Sequence, residues 1–301
     1  MKRRKAEAAL AWNTLVWGAT FVMVKSALAD ISPILFLALR FSLATLALLA
    51  IFSVKRARNR RRHRARPGRS GGGPWYAGVL VGLLLFLGYA FQTLGLRLTS
   101  APKSAFITGL SAVLVPLVAA LVYRTRPRLR EVCGLAVATA GLALMTIEGM
   151  TFRVNPGDLL TVLCAIAYAA HIVTLGHFAE RISFETLAMT QVGTAAALGL
   201  ALCWWVEPAR ALWRPAAIGA ILITGLLATA LAFTIQAWAQ QYTTAARTGL
   251  IFMLEPVFAW ITSFVLTGEG LSRVAAAGAV LILGGVLLVE LKPALPAQHP
   301  S

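Results

Sequence analysis

Charged side chains are scarce in this sequence: they make up 13% of its 301 residues, whereas 58% of the residues are hydrophobic. The mean hydropathy is +0.76. A soluble domain carries about 25% charged residues, so this composition excludes an ordinary cytosolic enzyme. Long apolar runs are abundant instead, and a run of about 20 residues is long enough to cross a bilayer as a helix. We therefore expect an all-α integral membrane protein.

Cysteine and the common catalytic motifs are also scarce or missing. Cys133, Cys164 and Cys203 lie far apart in apolar runs, which predicts neither a disulfide framework nor a metal site. The sequence has no P-loop of the GxxxxGK[ST] kind, no HExxH zinc motif and no nucleophile beside a base. We expect no cofactor, no metal, no ATP hydrolysis by this chain itself and no enzymatic activity.

Acidic residues number 11 against 28 Lys and Arg, which gives a net charge of +17. The excess is local, because four basic residues occupy positions 2–5 and nine more lie between Lys55 and Arg69. Basic clusters beside apolar runs are typical of cytoplasmic segments of membrane proteins. A nucleic-acid-binding region would also have aromatic stacking residues or a folded basic module. We expect no nucleic-acid partner.

Apolar runs and the polar residues between them predict ten membrane spans. They lie near residues 7–29, 31–54, 74–96, 104–123, 131–148, 158–178, 185–206, 215–239, 247–266 and 273–291. With the N-terminus inside, the cytoplasmic segments hold 20 of the 28 Lys and Arg, and the outer segments hold six. This asymmetry predicts a multi-pass protein of the cell membrane (cytoplasmic or inner) with both termini cytoplasmic.

The two halves of the sequence repeat each other. A shift of 151 residues places Trp17 on Tyr168 and Arg40 on Gln191, and a shift of 144 places Gln92 on Gln236. Five spans in each half force the halves into opposite orientations, as in many transporters. We expect two inverted five-helix repeats, the first in 1–148 with a basic cytoplasmic loop at 55–73. The second occupies 149–291, and a short cytoplasmic tail follows at 292–301.

Six short motifs in order resemble the drug/metabolite transporter superfamily, specifically its ten-span EamA-type members. The motifs are Trp17-Gly18-Ala19-Thr20-Phe21, Ala38-Leu39-Arg40-Phe41, Thr99-Ser100-Ala101, Phe106-Ile107-Thr108-Gly109-Leu110, Leu254-Glu255-Pro256-Val257-Phe258 and the Gly278 to Gly285 spacing. The resemblance implies a secondary transporter of small metabolites, often an exporter of amino acids or related compounds, with a central cavity between the halves. One departure is that Ser111-Ala112 aligns with Glu255-Pro256, and the first-half proline follows at Pro116.

Polar residues inside spans are the candidates for substrate binding or coupling, because hydrocarbon penalises them unless they pair or face a cavity. Arg40 either grips a substrate carboxylate or locks helices together through carbonyls or Glu255. Glu255 is either a proton carrier or a carboxyl group bonded within the kink that Pro256 creates. His171 either binds substrate or relays protons, or it bonds a neighbouring helix.

The remaining candidates are related by the repeat. Gln92, Gln236 and Gln191 suit the polar ends of a zwitterion, or they join helices. Trp17 and Tyr168 either line the cavity or pack in the core. The glycines near Gly141 and Gly278 indicate close helix packing or a dimer face, so a homodimer is an open alternative.

We therefore expect a secondary active transporter that exports a small zwitterionic or amphipathic metabolite by alternating access, driven by proton exchange or by the gradient of its substrate. The partners of such a protein are its substrate and the lipid bilayer. A passive channel is one alternative, although no ring of like charges or carbonyl filter is evident. An intramembrane enzyme is the other, and it lacks paired catalytic groups.

Overall fold

The computed structural model of the chain describes residues 1–62, 74, 76–99, 101–124, 128–146, 155–267, 270 and 272–290. Regular structure within these ranges is helical, apart from one isolated antiparallel bridge between Ile31 and Ala211. This confirms the all-α prediction. The predicted basic loop at 55–73 begins within a helix that continues to Arg62, so its first part is not a loop. The rest of that loop, and the predicted tail at 292–301, lie outside the described residues.

The helices are numbered in chain order. They are α1 (Lys2–Asp30), α2 (Pro33–Arg62), α3 (Tyr76–Gly95), α4 (Ala101–Gly109), α5 (Ser111–Tyr123), α6 (Leu129–Thr146), α7 (Pro156–Ala179), α8 (Phe184–Leu202), α9 (Pro215–Gly225), a π-helical turn (Leu226–Leu231), α10 (Ala232–Ala239), α11 (Ala245–Phe252), α12 (Glu255–Thr267) and α13 (Arg273–Glu290).

Within the described ranges, six helical segments are long and apolar enough to cross a membrane. They are Pro33–Ala57, Tyr76–Gly95, Lys103–Tyr123, Leu129–Thr146, Pro156–Ala179 and Pro215–Ala239. The prediction of ten spans is confirmed at this level for these six. It stays a prediction for the regions of α1, α8, α11 with α12, and α13.

Two helical segments are interrupted near their middles. α4 ends and α5 begins around Leu110, and α11 ends and α12 begins around Met253 and Leu254. Pro256 is the second residue of α12, where a missing N–H costs no helical hydrogen bond. The first-half proline does not cause the corresponding break, because Pro116 lies inside α5, six residues after Leu110.

A third irregularity is the π-helical turn at Leu226–Leu231 between α9 and α10. Its wider backbone lets the Thr229 hydroxyl donate to the Thr224 carbonyl at 2.8 Å, across five residues. Ala228 and Thr229 are buried there. Such turns are rare and occur frequently at functional sites.

Glycines bring α6 and α13 into backbone contact. A Cβ added at Gly141 would lie 2.5 Å from the Gly278 carbonyl oxygen, and one at Gly134 would lie 2.7 Å from that of Gly285. These four glycines therefore pack within the chain, which removes them from the proposed dimer face. Glycine at such positions lets helix backbones approach closely.

This contact gives a test of stability. Gly285→Ala should lower the free energy of unfolding by about 1–3 kcal/mol, because overpacking a close contact costs that much. The added Cβ would meet the Gly134 carbonyl oxygen at 2.5 Å and the Ala138 backbone nitrogen at 2.9 Å. Thermal unfolding in detergent would measure the loss. Gly284→Ala is the matched control, since a Cβ there meets nothing within 4 Å. Equal stability of both variants would contradict the packing.

Candidate functional site

A cavity of about 510 Å³ lies among helices of both halves of the chain. Seven of the eight residues that the sequence singles out line it: Trp17, Arg40, Gln92, Tyr168, His171, Gln236 and Glu255. The eighth, Gln191, is 0% exposed and does not line it. The lining also reaches Thr146 at the end of α6 and Ala275 in the first turn of α13. The cavity therefore extends to that end of the helix bundle.

Arg40 projects from α2 toward the π-helical turn. Its Nε donates to Thr229 Oγ1 at 2.6 Å, and its Nη2 donates to the Ala228 carbonyl oxygen at 3.1 Å. Nη2 also donates to the Tyr89 hydroxyl at 3.3 Å, and Cζ lies 4.8 Å from the centre of the Tyr89 ring. The lock to a carbonyl is thus present, whereas no ion pair joins Arg40 to Glu255 in the described part of the chain. Nη1 makes no hydrogen bond to the described residues.

Aromatic rings form one wall of the cavity. Tyr89 packs edge to face on Tyr168 and Phe233, with ring centres 5.5 and 6.1 Å apart. Trp17 contacts Phe233 and Phe252, and its Nε1 donates to the Ala228 carbonyl oxygen at 2.9 Å. The sequence offers Tyr89 as a residue that lines the cavity or packs in the core, whereas Phe233 is not among the candidates. The 144-residue shift that pairs Gln92 with Gln236 also pairs Tyr89 with Phe233, and that signal could have found Phe233.

The amides at the cavity are partly engaged. Tyr168 donates its hydroxyl to Gln92 Oε1 at 3.2 Å. Gln236 donates through Nε2 to Gln240 at 3.2 Å, and Gln240 donates to the Ile172 carbonyl oxygen at 2.9 Å. Gln236 Oε1 is buried without a hydrogen-bond partner. An unsatisfied buried acceptor beside a cavity is suited to a donor from a bound molecule.

His171 and Gln191 form a hydrogen bond between α7 and α8. His171 Nε2 and Gln191 Oε1 are 2.9 Å apart. His171 also contacts the Phe233 ring edge to face, at 6.0 Å between ring centres. Gln191 therefore bonds to a cavity-lining residue without lining the cavity itself. Its position fits the alternative of a bond that joins helices.

Glu255 is the first residue of α12 and lines the cavity. It makes no hydrogen bond or ion pair with the described residues, so the expected bond within the kink is not seen there. The positive end of a helix dipole favours a carboxylate at this position. Ser111, its repeat equivalent, is the first residue of α5 and lines the same cavity.

Comparison with known proteins identifies the family. A sequence model of the EamA-like transporter family matches residues 5–147 and matches again at residues 155–291. The chain belongs to the EamA-like transporter family. Membership makes it a multi-pass membrane transporter, and its two matched segments are two copies of the EamA unit.

Related EamA proteins cover nearly the whole chain. One from Archaeoglobus fulgidus, described as an uncharacterized transporter, is 32% identical over 97% of this chain and 88% of its own length. The Bacillus subtilis transporter YoaV, also described as uncharacterized, is 22% identical over 91% of this chain and 93% of its own length. A solved protein structure superposes with a TM-score of 0.78 at 20% identity, covering 95% of this chain and 97% of the other, which supports the fold.

Two buried ion pairs outside the cavity were missed from the sequence. Glu7 pairs with Arg247 at 3.1 Å, and Asp158 pairs with Lys103 at 2.6 Å. The topology prediction counts Lys103 with the outer segments and Arg247 with the cytoplasmic ones, without a partner for either; both lie in helices and are buried. The internal repeat could have indicated these pairs, because the 144-residue shift places Lys103 on Arg247.

The bond between His171 and Gln191 predicts a stability difference. Gln191→Leu should lower the free energy of unfolding by about 1–3 kcal/mol, because it leaves a buried ring nitrogen unsatisfied. Thermal unfolding in detergent is the measurement. Gln241→Leu serves as the control, because the Gln241 side chain makes one long contact to the Ile182 carbonyl oxygen at 3.5 Å. An unchanged unfolding temperature for Gln191→Leu would refute the expected role.

Proposed function

We propose that this chain is a secondary active transporter that exports a small zwitterionic or amphipathic metabolite, such as an amino acid, by alternating access. The observation that carries the proposal is the cavity wall, where the side chains of Arg40 and Glu255 both line one cavity. A zwitterion presents the two complementary charges. Charge-assisted hydrogen bonds of this kind are the strong ones.

The dimensions and the aromatic wall support a metabolite-sized substrate. A volume of about 510 Å³ falls within the usual range for small-molecule sites. Tyr89, Phe233 and Trp17 offer an apolar surface to a side chain, while the Gln236 amide oxygen offers an acceptor. Such a combination of an apolar pocket and a few convergent polar groups fits an amphipathic molecule.

The architecture we propose has ten membrane-spanning helices in two inverted five-helix repeats, at 1–148 and 149–291. Reciprocal contacts support it: Gly141 meets Gly278 and Gly134 meets Gly285, as expected across a pseudo-twofold axis. The matching interruptions of α4/α5 and α11/α12 support it as well. Both termini are cytoplasmic in this proposal, and the protein resides in the cell membrane.

Counterflow in proteoliposomes tests the transport function. Vesicles are preloaded with one unlabelled amino acid or related metabolite, and entry of the labelled compound is followed. A transient overshoot above equilibrium is expected of a carrier, since the outward gradient of unlabelled substrate drives label inward. Non-overshooting leakage of several solutes would indicate a channel. A covalently altered product would indicate an enzyme, and folded protein that moves no compound of a broad panel would contradict the proposal.

Arg40→Gln tests carboxylate recognition once a substrate is found. We expect KM in counterflow to rise about 10- to 100-fold, the loss that accompanies removal of a charged hydrogen-bond partner. The fold should survive, because the Ala228 carbonyl keeps the Trp17 donor and Thr229 keeps its bond to Thr224. Arg97→Gln is the matched control, because Arg97 pairs with Glu207 at an exposed position. An unchanged KM in Arg40→Gln would assign Arg40 to helix packing alone.

Glu255→Gln tests proton coupling. We expect this variant to retain counterflow at saturating substrate, with a raised KM because the carboxylate that faces the positive charge of the substrate is lost. Counterflow needs no net proton movement, whereas accumulation of substrate driven by an imposed pH gradient should be lost. The substitution is isosteric, and the Glu255 carboxylate has no protein partner to lose among the described residues, so stability should not fall. Proton-driven accumulation at the parent rate would rule out Glu255 as the proton carrier.

A further inference from the structure

The two buried ion pairs have the same construction. Lys103 and Arg247 are each the third residue of a helix, α4 and α11. Each cation pairs with a carboxylate, on α7 in one case and on α1 in the other, and the paired side chains are at most 8% exposed. A threonine hydroxyl donates to each carboxylate: Thr99 to Asp158 at 2.6 Å and Thr243 to Glu7 at 3.2 Å.

These clusters are equivalent under the repeat. The shift of 151 places Glu7 on Asp158, and the shift of 144 places Thr99 on Thr243 and Lys103 on Arg247. They lie at opposite ends of the helix bundle. Arg247 contacts Glu131 in the first turn of α6 and Val289 near the end of α13. The cavity instead reaches Thr146 and Ala275 at the other ends of these two helices, about 21–23 Å away at about 1.5 Å per residue.

The Arg247 cluster contains two contacts beyond the shared pattern. Arg247 Nη2 donates to the Val289 carbonyl oxygen at 3.2 Å, and its Nε lies 3.9 Å from Glu131 Oε1. Arg247 therefore joins α11 to α1, α6 and α13 at once. In the other cluster, the repeat equivalents of Glu131 and Val289 are Ala275 and Met145. Both of these residues line the cavity.

Equivalent positions of the repeat thus line the open cavity at one end of the helix bundle and contact Arg247 at the other, closed end. Behind Arg247, the closed end is filled by buried apolar residues that include Leu10, Leu250 and Val286. In an inverted repeat, the second conformation of the transporter exchanges the environments of equivalent positions. On exchange, Glu131 and Val289 take the cavity-lining places that Ala275 and Met145 hold here.

We propose that Arg247 is the latch of the closed end, and that its contacts to Glu131 and to the Val289 carbonyl must break for that end to open. The Glu7–Arg247 pair persists, as the Lys103–Asp158 pair does at the open end. This inference rests on the proposed inverted repeat and alternating access. Under the proposed topology, the latch closes the cytoplasmic end.

Glu131→Gln is the variant that releases the latch without leaving a buried charge alone. Arg247 keeps Glu7 at 3.1 Å, so the substitution removes one of two carboxylates near the guanidinium. Removal of Glu7 would be less informative, because breaking a buried pair by deleting one partner is strongly destabilising. The matched control is Glu185→Gln, which removes a carboxylate paired with the exposed Lys55.

The readout is thiol accessibility and needs no substrate. Val289→Cys is nearly isosteric, and Val289 is 3% exposed. It is placed in a chain whose Cys133, Cys164 and Cys203 are replaced by serine. A membrane-impermeant maleimide is applied to inside-out vesicles. We expect Glu131→Gln to raise the labelling rate about two- to five-fold, the factor that one weak ion pair represents.

Two reporters separate opening from unfolding. Met145→Cys in the same background reports the open end, and we expect labelling from the opposite membrane face with or without Glu131→Gln. A chain that keeps only Cys203, which is 1% exposed, should stay unlabelled in the variant. Labelling of Val289→Cys at the parent rate in Glu131→Gln, or an equal rise in Glu185→Gln, would overturn the latch. Failure of counterflow with an accelerated thiol rate would count against the proposed substrate class and leave the latch standing.

Discussion

The structure depends on the rule that a polar group within the hydrocarbon must have a partner or face an aqueous space. Arg40 shows how the rule shapes the cavity. Its guanidinium donates to two acceptors of the π-helical turn at Leu226–Leu231, the Thr229 hydroxyl and the Ala228 carbonyl. Trp17 shares the same carbonyl. The irregular turn thus binds a buried cation in the cavity wall. This role accounts for the presence of so rare a backbone conformation at this position.

The two repeats surround Arg40 with different side chains at equivalent positions. Equivalent positions meet near the centre with different side chains, such as Tyr89 against Phe233 and Ser111 against Glu255. The repeat therefore supplies matching helix geometry, and divergence between the halves supplies the chemistry: a guanidinium from the first half and a carboxylate from the second. A symmetric site would present like charges to each other and would need to neutralise them.

Hydropathy and the internal repeat predict the helical class and seven polar or aromatic residues of the cavity lining, because in a membrane polarity within a span is itself a positional signal. They cannot orient a side chain about its helix, so they leave open whether Gln191 faces a substrate or joins helices, and its bond to His171 fits the second. They also do not predict the partners of Lys103 and Arg247, since hydropathy does not register a partner from a distant helix. The break at Leu110 is missed because Pro116 is the stronger local signal, yet α5 accommodates that proline.

The two ion pairs bear on how such a protein can change state at low cost. Breaking a buried pair is expensive, since the desolvated charges are left uncompensated. If both ion pairs are retained in both conformations, their large desolvation and Coulomb energies cancel between the two conformations. Only the contacts that differ then set the balance, and those are the ones from Arg247 to Glu131 and to the Val289 carbonyl. A ligand shifts such an equilibrium by its differential affinity for the two states alone, so a small residual bias leaves substrate binding able to control access.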